Sequence, residues 1–305
     1  MINNRVVITG IGVVAPNALG AADFEVALKE GRSGISFFET SQSLNFRCQI
    51  AGKPLITEDY KARFFDDYYQ NKLDNNAIIY ACLAGFEAWE NAGLTHHQDQ
   101  IDFDSGMIIG SGALGLDGSN HAVFSKILAG NNKRLGSRAI PESMSSGAAA
   151  YLNKILGLGN RILSNSSACI TGTESVLLGY EHLKLGKAKR MLCGSTEGDG
   201  IFIWGAVDAM RILTSDSNED PTNGSRPMCN SSVGFVPGSG SGAMVLETLE
   251  SAQSRGAKIY AEILGADVNS GGLRDGGSMT APNSNAVVHC MKNSLHEAKV
   301  NSDEI

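Results

Sequence analysis

The chain has 305 residues, 42% of them hydrophobic, and 32 acidic side chains against 25 Lys and Arg give it a formal net charge of −7. That length can bury the core of one or two domains, and an acidic balance with no basic run argues against nucleic acid as a partner. No apolar run approaches membrane-spanning length, no signal-peptide core follows Met1, and six widely spaced cysteines lack any Cys-x-x-Cys pair, so the expectation is a cytoplasmic protein without membrane, zinc or disulfide framework.

Apolar runs ending in glycine alternate with helical patterns, the signature of an α/β protein. Arg5–Thr9 predicts a first strand that ends at Gly10-Ile11-Gly12, and Ala22–Lys29 a short helix closed by Gly31. A long helix follows over Leu73–Ala92, with Ile78, Ile79, Leu83, Phe86 and Trp89 on overlapping apolar faces and Gly93 as its stop. Ser105–Ile109 predicts a strand running into Gly110-Ser111-Gly112, Gly147–Leu156 a helix of small residues, and Arg161–Leu163 a short strand. Arg190–Gly194 and Ala243–Glu247 read as strands, Ser251–Arg255 as a helix and Lys258–Gly265 as a further strand. This last strand resembles the first in running to glycine and entering a polar loop. It marks residues 1–257 as one half of a duplicated architecture and 258–305 as the start of a second.

Two glycine motifs, at residues 10–15 and 110–115, fit the dinucleotide fingerprint and follow strands. The pattern also needs a helix opening at the glycines and an acidic residue about 20 positions on. Pro16-Asn17-Ala18 is loop chemistry, while Asp23, Glu25, Asp117 and Asn120 fall in the wrong places. Nucleotide binding is therefore not expected, and no cofactor is called for.

The most informative stretch is Ser164–Glu174, which places Cys169 between the short strand and a helix. Thr171 and Glu174 have capping-box spacing. Val176, Leu177, Tyr180 and Leu183 follow at helical spacing, and Gly186 is a natural C-cap. A thiol on the first turn of such a helix lies at the positive end of the macrodipole, which favours the thiolate. The backbone N–H at that turn can also stabilise an oxyanion. That suits an acyl-accepting nucleophile. A lone cysteine among small residues is equally ordinary core packing, and the local pattern leaves both readings open.

Further stretches carry a family resemblance. RVVITGIGVVAPNALG (5–20), MIIGSGALGL (107–116), SSACITGTES (166–175), AVDAMRILT (206–214), the run from Gly234 to Gly265 and MTAPN (279–283) stand in the order found in the elongating β-ketoacyl-acyl carrier protein synthases. The resemblance implies a thiolase-like layered α/β fold of two similar halves. It also implies Cys169 as the residue that takes a growing acyl group as a thioester, its own N–H giving one oxyanion donor. A malonyl group on acyl carrier protein would then lose carbon dioxide, and its carbanion would attack that thioester. By the same resemblance Ala113 and Val207 line the acyl pocket, where bulkier Ile and Phe are common. Trp204, one turn from Val207, offers to refill the space. Thr280 belongs to a loop that contacts the pantetheine arm. Lys72 and Arg211 match basic positions that meet the carrier's acidic helix, and the intact family member is a homodimer.

Departures are as informative. The family's His-Gly-Thr and Lys-x-x-x-Gly-His motifs do not occur, and Asn301–Ile305 resembles the segment just ahead of the first of them. The expectation is a polypeptide that accepts an acyl group but does not complete a condensation. Cys229, Ser232, Val233 and Ser239 stand where the family commonly has Asp, Arg, Asp and Glu, and Ser278 where it commonly has His. These replacements point to a specialised synthase. Two alternatives stand beside it: a non-catalytic partner that sets chain length, and thioester transfer or hydrolysis by Cys169 alone.

Overall fold

The first strand is longer than its apolar run predicts. In the structure, a computed structural model that describes residues 3–65, 73–96, 100–114, 119–278 and 280–305, β1 spans Val6–Ala15 and passes straight through Gly10 and Gly12. A Cβ at Gly10 would lie 2.1 Å from the Ala88 carbonyl oxygen, and one at Gly12 1.9 Å from that of Ala84. The glycines are thus a seat for the helix Asn76–Asn91, not the turn that the sequence suggested.

That central helix begins at Asn76 rather than Leu73 because Asn75 caps it, its side chain accepting the Ile78 N–H at 3.3 Å. Most of its surface is buried, including Ile78, Tyr80, Leu83 and Trp89, because it lies between the sheet on one side and the helix Gly147–Leu156 on the other. A helix apolar on all sides is what that position requires.

The sheet also contains β2 (Ala18–Leu19), β5 (Ser105–Gly110), β6 (Ile162–Leu163), β7 (Arg190–Glu197), β8 (Gly240–Thr248) and β9 (Ala261–Ile263); β3 (Ile35–Phe37) and β4 (Ile50–Gly52) pair separately. Its order is β2-β1-β8-β7-β5-β6. β5 runs parallel to β6 and β7, whereas β8 is antiparallel to both β7 and β1. Strand alternation divides the core in two. Met107, Ile109, Leu192 and Val245 face the central helix, and Ile108, Met191, Cys193 and Leu246 face the helix Thr171–Lys184 on the opposite side. The result is an α/β/α layering with the carboxyl ends of β5 and β7 side by side, where open α/β sheets place their sites.

The strand expected over Lys258–Gly265 shortens to β9, which joins the free edge of β1 opposite Val6–Ile8. Pairing with β9 ends at Ile8, where the register of β1 against β8 also shifts before continuing from Gly10. The helix Ser284–Ala298 then docks on the Thr171–Lys184 helix, with Glu297 bonded to Lys184 and to the Tyr180 hydroxyl. Among the described residues, no helix is long and apolar enough to cross a membrane.

Candidate active site

Cys169 lies in a 3-10 turn, Ala168–Ile170, directly ahead of the helix Thr171–Lys184, and is exposed. Ala168 is left-handed at φ 50°, a conformation that costs an L-residue about 1–2 kcal/mol and persists only where its surroundings hold it.

The holding groups surround it. The Thr171 hydroxyl accepts the Ser167 N–H at 2.8 Å and donates to the Ala168 carbonyl at 2.7 Å. The Glu174 carboxylate accepts the Ser167 hydroxyl proton. Asn165 donates to the Thr171 carbonyl at 3.0 Å, and its own side-chain oxygen accepts from Ser175 at 2.7 Å. The Asn165 carbonyl takes the Ser111 N–H at 3.2 Å, joining the turn to the end of β5. Gly110 leaves room for this junction, since a Cβ there would meet the Thr171 methyl at 2.3 Å.

The expected capping box is not formed. Ile170 is the N-cap and makes no side-chain cap, while Thr171 is already the first helical residue. The preceding 3-10 turn moves the helix start past Thr171, so the hydroxyl reaches back into the turn instead of forward into the helix. Cys169 therefore sits just ahead of the α-helix rather than on its first turn.

The other sequence-chosen residues are scattered. Ala113 follows β5 and lines a cavity of about 40 Å³ with Leu114, Asn75, Asn76, Glu197, Asp199 and Ile203, among others. Val207 does not share that cavity; it packs beside Cys48, Ile50 and Leu213. Trp204 is buried and turned edge-on to Phe38, with ring centroids 5.1 Å apart. Thr280 is exposed, its N–H bonded to the Ser278 hydroxyl at 3.3 Å. Arg211 is exposed in a left-handed turn after the helix Ile201–Ala209, its N–H on the Asp208 carbonyl. Lys72 lies outside the described residues.

Two acidic groups beside Ala113 were not foreseen. Glu197 accepts the Gly112 N–H, and burial pushes its carboxyl above the usual range against the opposing pull of the Gly112 and Ala113 amides. Asp199 is held by Lys53, by the Tyr80 hydroxyl at 2.7 Å and by Asn76 at 2.8 Å. Burial first, then Asp199, raises the Tyr80 hydroxyl far above its ordinary value. Ser239, the replacement for the family's Glu, is buried and its hydroxyl reaches the Gly52 carbonyl at 3.4 Å. An ion-paired cluster thus exists next to Ser239, built from other residues. Its one sequence signal was position: Glu197 is the last residue of β7, and Gly198-Asp199 follow it directly. Cys229, Ser232 and Val233, by contrast, sit on an exposed loop.

Three of the described histidines make their contacts away from the cysteine turn. His182 is buried and bonded to Asn160 at 3.0 Å, roughly 17 Å along the helix from Thr171 at 1.5 Å per residue. His96 lies edge-on to Phe86, and His289 bonds Asn293.

The arrangement is a layered α/β sheet with a cysteine presented where a strand gives way to a helix. The comparisons give it a family. Residues 3–252 match the model of the beta-ketoacyl synthase N-terminal domain, and the chain belongs to the β-ketoacyl synthases. Its fold is accordingly the thiolase-like one. It is 33% identical over 306 residues to the chloroplastic 3-oxoacyl-[acyl-carrier-protein] synthase I of Arabidopsis thaliana, covering 99% of this chain and 63% of that protein. The 3-oxoacyl-[acyl-carrier-protein] synthase 1 of Haemophilus influenzae is also 33% identical, over 95% of this chain and 70% of its own length. The chain thus spans between three fifths and three quarters of these relatives. A beta-ketoacyl synthase from Burkholderia phymatum superposes with a TM-score of 0.87 at 27% identity, covering 99% of this chain and 72% of that one. A type II polyketide ketosynthase solved with its acyl-carrier protein gives 0.82 at 25% identity, covering 99% and 71%.

Proposed function

We propose that this chain carries the acyl-accepting part of a β-ketoacyl-acyl carrier protein synthase of fatty acid or specialised lipid or polyketide synthesis, with Cys169 as the nucleophile. The observation that supports it is an exposed thiol on a left-handed turn held by side-chain hydrogen bonds at the head of a helix. The Cys169 thiolate attacks the carbonyl of an acyl group on acyl carrier protein, and the carbonyl electrons move onto oxygen. The Cys169 N–H stabilises that oxyanion. Its collapse expels the pantetheine sulfur as a thiolate, which takes a proton from solvent, and leaves an acyl-cysteine. Ala113 and Val207 are assigned to the acyl chain, Thr280 to the pantetheine arm, and Lys72 and Arg211 to the carrier's acidic helix.

Condensation is not assigned to these residues, because none of the histidines just described is engaged at the cysteine turn. We take residues 1–257 as the nucleophile-bearing half and 258–305 as the start of the second, in a cytoplasmic enzyme that works as a homodimer. Support for dimerisation comes from β6, whose Ile162 and Leu163 lie half-exposed at the sheet edge. Incubation with a long-chain acyl-acyl carrier protein should add one acyl mass to the protein and none to Cys169→Ala. An unmodified wild-type protein would overturn the assignment. The second reading is a non-catalytic chain-length partner. Ser239 in place of the family's Glu favours it, and a ketosynthase/chain length factor superposes with a TM-score of 0.81 at 25% identity. Acylation of Cys169 decides against it.

A further inference from the structure

Three features outside the assigned chemistry stand out: the acidic cavity beside Ala113, the exposed Cys229 loop, and the hydroxyl of Thr171. Glu197 and Asp199 of the first are already held by the Gly112 amide and by Lys53, Tyr80 and Asn76, and the second is a lone cysteine. The third is different, because one buried side chain makes two bonds to the two residues that precede the nucleophile.

We propose that Thr171 is the positioning residue of Cys169, its hydroxyl locking the turn that presents the thiol; this rests on Cys169 being the acyl acceptor. Thr171 is 2% exposed, so its hydroxyl has no water to bond and depends on the turn. By accepting from Ser167 N–H and donating to Ala168 C=O it spans the residue at φ 50° from both sides. Rotation of Ala168 back to an ordinary conformation would break both bonds and leave the buried Thr171 hydroxyl without a partner in the turn. Its methyl group meanwhile fills the space over Gly110, which fixes the side-chain rotamer. Glu174, through the Ser167 hydroxyl, braces the same turn from the helix side. The consequence is a thiol whose direction is set before substrate arrives. Misplacement of a reacting atom by about 1 Å can cost on the order of 100-fold in rate.

Thr171→Val keeps the shape and removes the hydroxyl; Thr171→Ser keeps the hydroxyl and removes the methyl. A medium-chain acyl thioester of N-acetylcysteamine is the acyl donor, and acylation of Cys169 is followed by peptide-resolved mass. Thr171→Val should lower the saturating acylation rate by roughly 10- to 100-fold while moving the half-saturating concentration by less than about 2-fold, a loss confined to the reacting step. Thr171→Ser should recover most of the rate. Iodoacetamide labelling of the same variants supplies the control. The buried Cys82 and Cys193 report unfolding, and the exposed Cys229 reports general reactivity. A Thr171→Val protein that acylates at the wild-type rate overturns the proposal. So does a Thr171→Ser protein as slow as the valine variant, or a loss of rate that appears together with labelling of Cys82 and Cys193. If wild-type Cys169 is not acylated at all, the proposed function fails first. Thr171 is then judged by labelling alone: a Cys169-to-Cys229 ratio that falls several-fold in Thr171→Val upholds the positioning role, and an unchanged ratio removes it.

Discussion

The chain contains two exposed cysteines that each follow a left-handed residue: Cys169 after Ala168 at φ 50°, and Cys229 after Met228 at φ 63°. Locally they are near twins. The Cys169 turn runs into a helix of 14 residues and is tied down by Thr171, Asn165 and Glu174. The Cys229 turn is followed by further loop, Met228 projects fully into solvent, and the turn is held by Arg226 on the Ser231 carbonyl at 2.8 Å and by the Cys229–Ser231 contact at 3.2 Å. An exposed thiol on a strained turn is therefore not enough to mark a nucleophile. A helix N-terminus and buried side chains that fix the turn are what distinguish the first site from the second.

The contrast can be broken at several points. Gly110→Ala drives a methyl against the Thr171 methyl and the Asn165 backbone, whose carbonyl oxygen would lie 2.6 Å away. It should cost about 2–3 kcal/mol in urea unfolding, whereas Met228→Ala, on a side chain in open solvent, should change stability by less than about 0.5 kcal/mol. Asn165→Ala removes one of two partners of both Ser175 and the Thr171 carbonyl, which still bond each other at 2.9 Å, and should cost about 1 kcal/mol by the same measurement; Ser231→Ala should cost almost nothing. A smaller effect separates the two left-handed residues. Ala168→Gly should leave stability within about 1 kcal/mol, because relief of strain and added freedom of the unfolded chain oppose one another, yet slow Cys169 acylation a few-fold; Met228→Gly should leave acylation untouched. The smallest effect is one of pH. The Ser231 hydroxyl and then its backbone N–H pull the Cys229 thiol below its ordinary value of 9.0, so more thiolate is present at neutral pH. Iodoacetamide labelling of Cys229 should reach half-maximal rate at a lower pH than in Ser231→Ala, and an identical pH profile would show the bond to be idle.

Much of this was legible in the residues. Cys169 between strand and helix, the Gly147–Leu156 helix and the strands beginning at Ser105 and Arg190 follow from local apolar spacing and glycine punctuation. Misreadings occurred where a distant partner decides. Gly10 and Gly12 look like the end of a strand until a helix more than seventy residues on is laid across them. The Thr171-x-x-Glu174 spacing predicts a capping box, but the 3-10 turn ahead of it diverts both side chains onto Ser167. Asp199 pairs with Lys53, Asn76 and Tyr80 from two other segments, a convergence that no window of sequence contains. The family resemblance carried the family of the protein; it did not carry the ion-paired cluster around Asp199.

The central helix ties these regions together. One flank rests on Gly10 and Gly12 with almost no clearance. At its N-terminus, Asn75 donates to the Leu114 and Glu142 carbonyls at 3.1 and 2.9 Å, while Asn76 holds Asp199. The helix thus links the first strand to the segments that follow β5 and β7. A single added methyl group at Gly12 would push on that helix and displace the loops beyond β5 and β7 together, so a substitution in the first strand would be felt as a change in the shape of the cavity beside Ala113.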